Sequence, residues 1–307
     1  MIYDHYQFKI PEGKRVRLIV NTDAKNEADD QFAIVHALLS TRFDNRGVIA
    51  AHFGREKSSH SMEDSYKEVI KLLDLMDFPQ ELAYRGAVEA MTDEKMPVES
   101  EGARLIVEEA MKDAETPLYV IFLGPLTDMA SAYLMEPRIA GRLTCIWIGG
   151  AKYPDGGYEY NLNNDIKSAR VVMNSEIPLW QIPRDVYSQV IVSLAELEYR
   201  VRPCGELGRY LFEQLEEHGH TSFARATTRT GEYWCLGDSP AVGVLLFAHM
   251  YSYDWIQAPL ITDNMAYVKN GQNRPIRVYH DVNDRFILED FYAKLALFTK
   301  RVPSDSF

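Results

Sequence analysis

Hydrophobic residues in this chain alternate between short continuous runs and longer runs with helical spacing. The short runs are rich in β-branched and aromatic residues and are bounded by Gly, Pro or polar residues, which is typical of buried strands. They predict strands at residues 16–21, 46–53, 117–124, 144–150 and 177–183. The longer runs predict helices at residues 29–39, 61–76, 102–114 and 165–173. This alternation predicts right-handed βαβ units, and therefore an α/β fold with a mainly parallel, Rossmann-like open sheet flanked by helices.

Residues 195–236 depart from the alternation, because they are mostly helical in pattern and rich in aromatic residues and His. We interpret them as a helical insertion or a cap over the sheet. No internal repeat, low-complexity stretch or linker rich in Pro, Gly or Ser divides the sequence. We therefore expect a single domain over residues 1–307 with a helical elaboration at about 195–236.

Charge, hydrophobicity and cysteine content narrow the possible partners, the location and the type of metal site. The chain carries 33 basic and 45 acidic side chains, a formal net charge of −12, so nucleic acid is not an expected partner. No apolar run is long enough to span a membrane, and the first residues lack the pattern of a signal peptide. Cys145, Cys204 and Cys235 are scattered and lack CxxC spacing, which argues for reduced thiols in a cytoplasm and against a zinc site.

Four acidic residues lie where the first predicted strand ends: Asp23, Glu27, Asp29 and Asp30. Because like charges repel at this spacing, either a cation lies among them or they face open water. An Asp is also a common helix cap, which would explain one of these residues more easily than all of them. Ligands bind at the carboxyl ends of strands in open parallel sheets, so the cluster predicts a ligand-binding turn.

Carboxylate oxygens suit a hard cation such as Ca²⁺ or Mg²⁺. The turn is not an EF-hand, because Ala28 and Ile34 occupy the positions, counted from Asp23, where a Gly and a Glu are needed. It also lacks the glycines of a P-loop or a dinucleotide-binding turn.

The turn resembles the N-terminal signature of the nucleoside hydrolases, calcium-dependent N-ribohydrolases whose pattern is roughly D-x-D-P-G-x-D-D-A. Asp23 matches the second Asp of that pattern, and Asp29 and Asp30 match the closing pair. Asn21 stands in place of the first Asp, and AKNEA replaces P-G-x, which lengthens the turn by two residues.

Three later blocks resemble the same family in the same order. FLGPLTDMASAYLMEPRI at 122–139 resembles TGPLTNLA…P, EYNLNNDIKSA at 159–169 resembles EFN…DPEAA, and GDSPAVGVL at 237–245 resembles HDPLAV. Singly, each block is also explained by a turn or a helix cap. Four blocks in family order identify the chain as a divergent member of the nucleoside hydrolase superfamily.

The resemblance implies hydrolysis of the N-glycosidic bond of a riboside with Ca²⁺ as cofactor. It implies metal ligation by Asp23, Asp30, Asp238 and the backbone carbonyl of Leu123, with Asp23 as general base. It implies sugar binding by Asp29, Asp238, Glu159 and Asn161, and the lengthened turn adds Asn26 as a candidate. The family is commonly dimeric or tetrameric, so we expect a homodimer or homotetramer.

The side of the site that would face the base departs from the family. Gly237 replaces a His that can protonate the departing base in many relatives, and Tyr233, Trp234, His218 and His220 are alternative candidates for contact with the base. Arg55 stands where the family has an Asn. It predicts an anionic group such as phosphate on the substrate, unless it is an ordinary surface arginine.

Two other functions are considered beside the hydrolase. The first is a sugar-binding protein of the same fold that has lost turnover. The second is a metal-dependent phosphohydrolase, which is disfavoured because Asn21 stands where such a site needs an Asp nucleophile.

Overall fold

The computed structural model describes residues 6–221, 231–247 and 251–300. Its strands, numbered in chain order, are β1 Val16–Thr22, β2 Phe43–Ala50, β3 Ala83–Arg85, β4 Leu118–Phe122, β5 Thr144–Ile148, β6 Leu179–Ile182, β7 Ile191–Ser193, β8 Tyr233–Cys235, β9 Tyr253–Gln257, β10 Leu260–Ile261, β11 Tyr267–Val268 and β12 Pro275–Tyr279. Eight of them form one sheet in the order β3-β2-β1-β4-β5-β6-β12-β9. Every neighbouring pair in this sheet is parallel except β12 and β9. The predicted α/β fold with a mainly parallel sheet is confirmed.

Each of the five predicted strands corresponds to an observed one: β1, β2, β4, β5 and β6. The sequence pattern missed β3, β9 and β12. β9 lies at the sheet edge with most of its residues exposed, so it lacks the continuous apolar run that marks a buried strand. β12 begins with Pro275 and includes exposed and half-buried positions, a weaker signal than the central strands give.

The helices cover both faces of the sheet, and each of the four predicted ones is present with ends that differ by a few residues. Their bounds are Asp30–Leu39, Ser61–Leu75, Glu101–Met111, Thr127–Met135, Tyr160–Asn164, Ile166–Met173, Arg184–Tyr187, Leu194–Arg200, Gly205–Gly219, Ser239–Leu246 and Asp284–Thr299. None of the helices in the described ranges is both long and apolar enough to cross a membrane.

Alternate residues of β1 pack into hydrophobic cores on opposite faces of the sheet. Leu18 and Val20 belong to the core on one face of the sheet, and Ile19 belongs to the core on the other. Every residue of the helix Asp30–Leu39 is buried, because this helix packs against β2 and against the helices Ser239–Leu246 and Asp284–Thr299. The acidic turn is therefore held between a fully buried strand and a fully buried helix.

Residues 195–236 contain more than helices. The helices Leu194–Arg200 and Gly205–Gly219 are followed by β8, which pairs antiparallel with β7 and buries Trp234. Residues 222–230 of this segment lie outside the described ranges. The helix Gly205–Gly219 is fastened to the acidic turn, since Gln214 Nε2 donates to the Ala28 carbonyl at 3.0 Å.

Candidate active site

The cleft at the carboxyl ends of β1, β4 and β5 brings together distant parts of the chain. It is lined by four aspartates, Asp23, Asp29, Asp30 and Asp238, which we call the cleft aspartates. All four are at least nine-tenths buried. The predicted site residues Asn26, Leu123, Glu159 and Asn161 line the same cleft. Arg55 is not among its lining residues.

Three of the cleft aspartates form the tightest group. Oxygen atoms of Asp29, Asp30 and Asp238 lie within 4.8 Å of one another. Burial, followed by repulsion from Asp30, raises the pKa of Asp29 to about 7, and burial raises the pKa of Asp30 to about 6. Burial and the other three carboxylates raise the pKa of Asp238 well above its usual range. The group therefore holds either protons or a cation.

The two helix N-termini at the cluster explain its position but not its chemistry. Asp29 and Asp238 occupy the N-cap positions of Asp30–Leu39 and Ser239–Leu246, yet neither side chain makes a capping hydrogen bond. Asp30 instead accepts a hydrogen bond from Thr22 Oγ1 at 2.5 Å. Helix dipoles favour negative charge at this place, and the side chains of Asp29, Asp30 and Asp238 line the cleft.

Asp23 approaches the backbone of the loop after β4. A Cβ atom at Gly124 would lie 2.8 Å from Asp23 Cγ, so a side chain there would displace the Asp23 carboxylate. Asp23 Oδ2 accepts a hydrogen bond from Asn26 Nδ2 at 3.2 Å, and burial followed by repulsion from Asp30 raises the pKa of Asp23. The tight group of three contains Asp29 and not Asp23, whereas the resemblance assigns the metal to Asp23, Asp30 and Asp238. All of these donors are carboxylate oxygens, which fit Ca²⁺ or Mg²⁺ and not zinc.

Asn161 fixes the carbonyl that the resemblance assigns to the metal. Its Nδ2 donates to the Leu123 carbonyl at 2.7 Å and to the Ile148 carbonyl at 2.9 Å. Asn161 therefore ties the ends of β4 and β5 together. Since its amide hydrogens are used in this way, its Oδ1 is the atom left for a ligand.

Glu159 has its oxygens occupied by groups of the protein itself. Backbone N–H groups of Gly150, Asn161 and Leu162 donate to it, and so does the Tyr187 hydroxyl at 2.9 Å. Glu159 thus caps the short helix Tyr160–Asn164 and closes the loop that follows β5. The sequence offered no signal for Tyr187, which lies in a separate short helix.

Known proteins resemble this chain over most of its length. The sequence model of a family described as inosine-uridine preferring nucleoside hydrolase matches residues 18–288, which is most of the chain. The chain belongs to this nucleoside hydrolase family.

The nucleoside hydrolase resemblance extends to individual proteins. Over 116 residues the chain is 29% identical to a putative pyrimidine-specific ribonucleoside hydrolase of Shigella boydii. The aligned segment covers 36% of this chain and 48% of that protein. A pyrimidine-specific ribonucleoside hydrolase of Escherichia coli is 28% identical over 116 residues, 36% of this chain and 37% of that protein. The matched segment thus spans half or less of these relatives' length.

Solved nucleoside hydrolase structures share the fold. A purine-preferring ribonucleoside hydrolase from Gardnerella vaginalis superposes with a TM-score of 0.78 at 18% identity, covering 92% of this chain and 99% of that one. A plant nucleoside hydrolase superposes with a TM-score of 0.73 at 16% identity over the same shares of the two chains. At these identities the similarity concerns the fold alone.

At two positions where the chain departs from the nucleoside hydrolase pattern, Asn21 and Gly237, the surroundings fit the residue that is present. Asn21 is fully buried and donates to Asp128 Oδ2 at 2.8 Å, while the Ala87 N–H and the Ser100 hydroxyl donate to Asp128 Oδ1 at 2.9 and 2.6 Å. Gly237 has little room for a side chain, because a Cβ there would lie 3.0 Å from the Tyr187 ring.

The remaining sequence candidates lie away from the cleft lining. Arg55 is exposed, and its guanidinium pairs with Glu89 at 2.5 Å. Trp234 is buried in the hydrophobic core, with the His218 ring packed against it edge-on. Burial, helped by nearby lysines, lowers the pKa of His218 to about 4.

Sequence reasoning missed Lys57, two positions after Arg55 in the loop that follows β2. Lys57 Nζ donates to Asn26 Oδ1 at 2.5 Å, and burial lowers the pKa of Lys57 to about 8. The available signal in the sequence is a second basic residue in a loop at the carboxyl edge of the sheet.

Proposed function

We propose that this chain is a calcium-dependent hydrolase that cleaves the N-glycosidic bond of a ribonucleoside or a related riboside. The convergence of the four cleft aspartates, buried in one cleft of a nucleoside hydrolase family member, carries this proposal. Four buried carboxylates repel one another unless they are protonated or neutralised. A hard divalent cation neutralises them with the ligands that it prefers.

The residues divide into those that would hold the ion and those that would hold the sugar. Asp23, Asp30, Asp238 and the Leu123 carbonyl would hold Ca²⁺. When bound, the ion supplies positive charge that orients the attacking water and the ribose diol and favours loss of a proton from that water.

Asp23 would act as the general base. It removes the proton of the attacking water while the water oxygen bonds to C1′ of the ribose, a step that contributes roughly 10²–10⁴-fold. The electron pair of the N-glycosidic bond departs with the nucleobase as the sugar passes through a state with oxocarbenium character. Asp29 and Asp238 would accept hydrogen bonds from the ribose hydroxyls. On the other side of the sugar, Asn161 would offer its Oδ1, and Glu159 would contribute through the loop and helix that it fixes.

The proposal includes a small-molecule riboside as partner, a cytoplasmic location and a homodimer or homotetramer. Free Cys145, Cys204 and Cys235 support a reducing compartment. Related proteins bear names for both pyrimidine-specific and purine-preferring enzymes, so the test must include both kinds of base.

Ribose release from a panel of purine and pyrimidine nucleosides tests the proposal. We expect release that requires Ca²⁺, stops after chelation and falls by about 10²-fold or more in Asp23→Asn. Asp113→Asn, at an exposed aspartate outside the cleft, is the matched control and should keep full activity. Calcium-dependent riboside binding without release would instead support the sugar-binding function. No response to Ca²⁺ or to any riboside would refute both.

A further inference from the structure

The lengthened acidic turn places an amide group against the proposed general base. Asn26 is buried, and its backbone N–H donates to the Asp23 carbonyl at 2.8 Å, which closes a tight turn. Its side-chain Nδ2 donates to Asp23 Oδ2 at 3.2 Å. The turn therefore presents Asn26 to Asp23 through both backbone and side chain.

Lys57 contacts the opposite end of the same amide. Its Nζ lies 2.5 Å from Asn26 Oδ1 and 4.5 Å from the centroid of the Tyr160 ring, a cation–π distance. Lys57 comes from the loop after β2, so a separate part of the chain defines where Asn26 points. Tyr160 in turn begins the helix that Glu159 caps.

A second lysine nearby makes different contacts. Lys25 and Lys57 line the same cavity beside the cleft, but Lys25 Nζ pairs with Glu68 at 3.2 Å. Lys25 and Lys57 thus line one cavity, but the ammonium group of Lys57 contacts the Asn26 side chain and that of Lys25 contacts Glu68. This difference makes Lys25 a matched control for Lys57.

We propose that Lys57 is a positioning residue that, acting through Asn26, determines which oxygen of Asp23 is available in the cleft. An asparagine amide can turn by 180° and exchange its oxygen and nitrogen, but an ammonium group only donates hydrogen bonds. Lys57 therefore holds Asn26 Oδ1, and the Nδ2 end must face Asp23. Asp23 Oδ2 then uses one of its lone pairs for Asn26, and we assign the water and the ion to Oδ1. This role rests on the proposed function.

A double-mutant cycle in turnover tests this role. We expect Lys57→Met and Asn26→Ala each to lower kcat about tenfold or more with KM within about twofold, because a misplaced base affects the chemical step. If Lys57 acts through Asn26, the double variant should be no slower than the slower single variant. Lys25→Met should keep kcat within about twofold of the wild-type value.

Three results would overturn the role. The first is a loss in the double variant equal to the product of the single losses, which would mean that Lys57 acts independently of Asn26. The second is a raised KM with unchanged kcat in Lys57→Met, which would assign Lys57 to substrate binding. The third is an unchanged kcat in Lys57→Met.

Urea unfolding of the wild-type chain, the two single variants Lys57→Met and Asn26→Ala, and the double variant distinguishes failure of this role from failure of the proposed function. If the wild-type chain cleaves no riboside, the proposed function fails, and the cycle is read from the unfolding midpoints. A non-additive shift would support the Lys57–Asn26 contact, and additive shifts would overturn it. The same curves verify that each variant folds.

Discussion

Asn21 and Asp128 form a buried pair in which the amide of Asn21 donates to the carboxylate of Asp128 at 2.8 Å. The family pattern has Asp at the position of Asn21 and Asn at the position of Asp128. The two residue types are therefore exchanged in this chain. Either arrangement has one carboxylate and one amide, and in this chain the two groups are hydrogen-bonded. The exchange explains how the chain accommodates Asn21 at the start of an otherwise matching signature.

Restoring the family's residues at positions 21 and 128 should therefore preserve stability only when both residues are changed. Asn21→Asp alone places a second buried carboxylate against Asp128, and we expect it to lower the free energy of unfolding by about 2–4 kcal/mol. Asp128→Asn alone keeps an acceptor for Ala87 and Ser100 and should cost less. The double variant should return to within about 1 kcal/mol of wild type in urea unfolding. Additive losses in the double variant would contradict the pairing.

Removing one cleft carboxylate should affect the metal-free and calcium-loaded proteins in opposite directions. Asp30→Asn keeps an oxygen that can accept from Thr22 but removes a buried charge. We expect the metal-free protein to gain about 1–3 kcal/mol at pH 8, because the pKa of Asp30 is raised to about 6. Calcium should no longer raise the unfolding temperature.

Thermal unfolding with calcium and with chelator checks both effects, with Asp113→Asn as the exposed control. If Asp30→Asn retains the full calcium response, Asp30 is not a ligand.

Calcium stabilisation should increase with pH. The pKa of Asp30, an assigned ligand, is raised to about 6, so between about pH 4 and pH 6 the folded protein holds a proton that the unfolded chain has released. Raising the pH through this range therefore destabilises the metal-free protein. At pH 5 calcium must displace protons, and at pH 8 it binds carboxylates that are already ionised.

We expect little calcium-induced shift in unfolding temperature at pH 5. At pH 8 the stabilisation should approach about 2.7 kcal/mol at a hundredfold excess of calcium over its dissociation constant. An equal shift at both pH values would contradict the ligand assignment.

Tyr187 should contribute to stability through Glu159. Tyr187→Phe leaves the buried carboxylate of Glu159 with one donor fewer, and we expect a loss of about 1–3 kcal/mol in urea unfolding. Tyr199→Phe is the matched control, because Tyr199 is 83% exposed. Equal effects of the two substitutions would show that the Tyr187 hydroxyl does not support Glu159.

Sequence patterns were sufficient for the elements with strong local signals. The five central strands and four of the helices follow from apolar runs and spacing, because a buried strand or an amphipathic helix must show its burial in its own residues. The edge strand β9 and the short β3 were missed because exposure and shortness remove that signal. The sequence indicates the acidic turn because four acidic residues, Asp23, Glu27, Asp29 and Asp30, lie within eight positions.

What the sequence determined by itself was the fold class, the family and the identity of the cleft aspartates. Only the tertiary structure showed that Lys57 contacts Asn26, that Tyr187 donates to Glu159 and that Arg55 pairs with Glu89. These contacts join residues 28 to 34 positions apart, and no local pattern encodes them. A parallel sheet brings the loops at its carboxyl edge together regardless of their separation along the chain, so the partners are decided by strand order and packing.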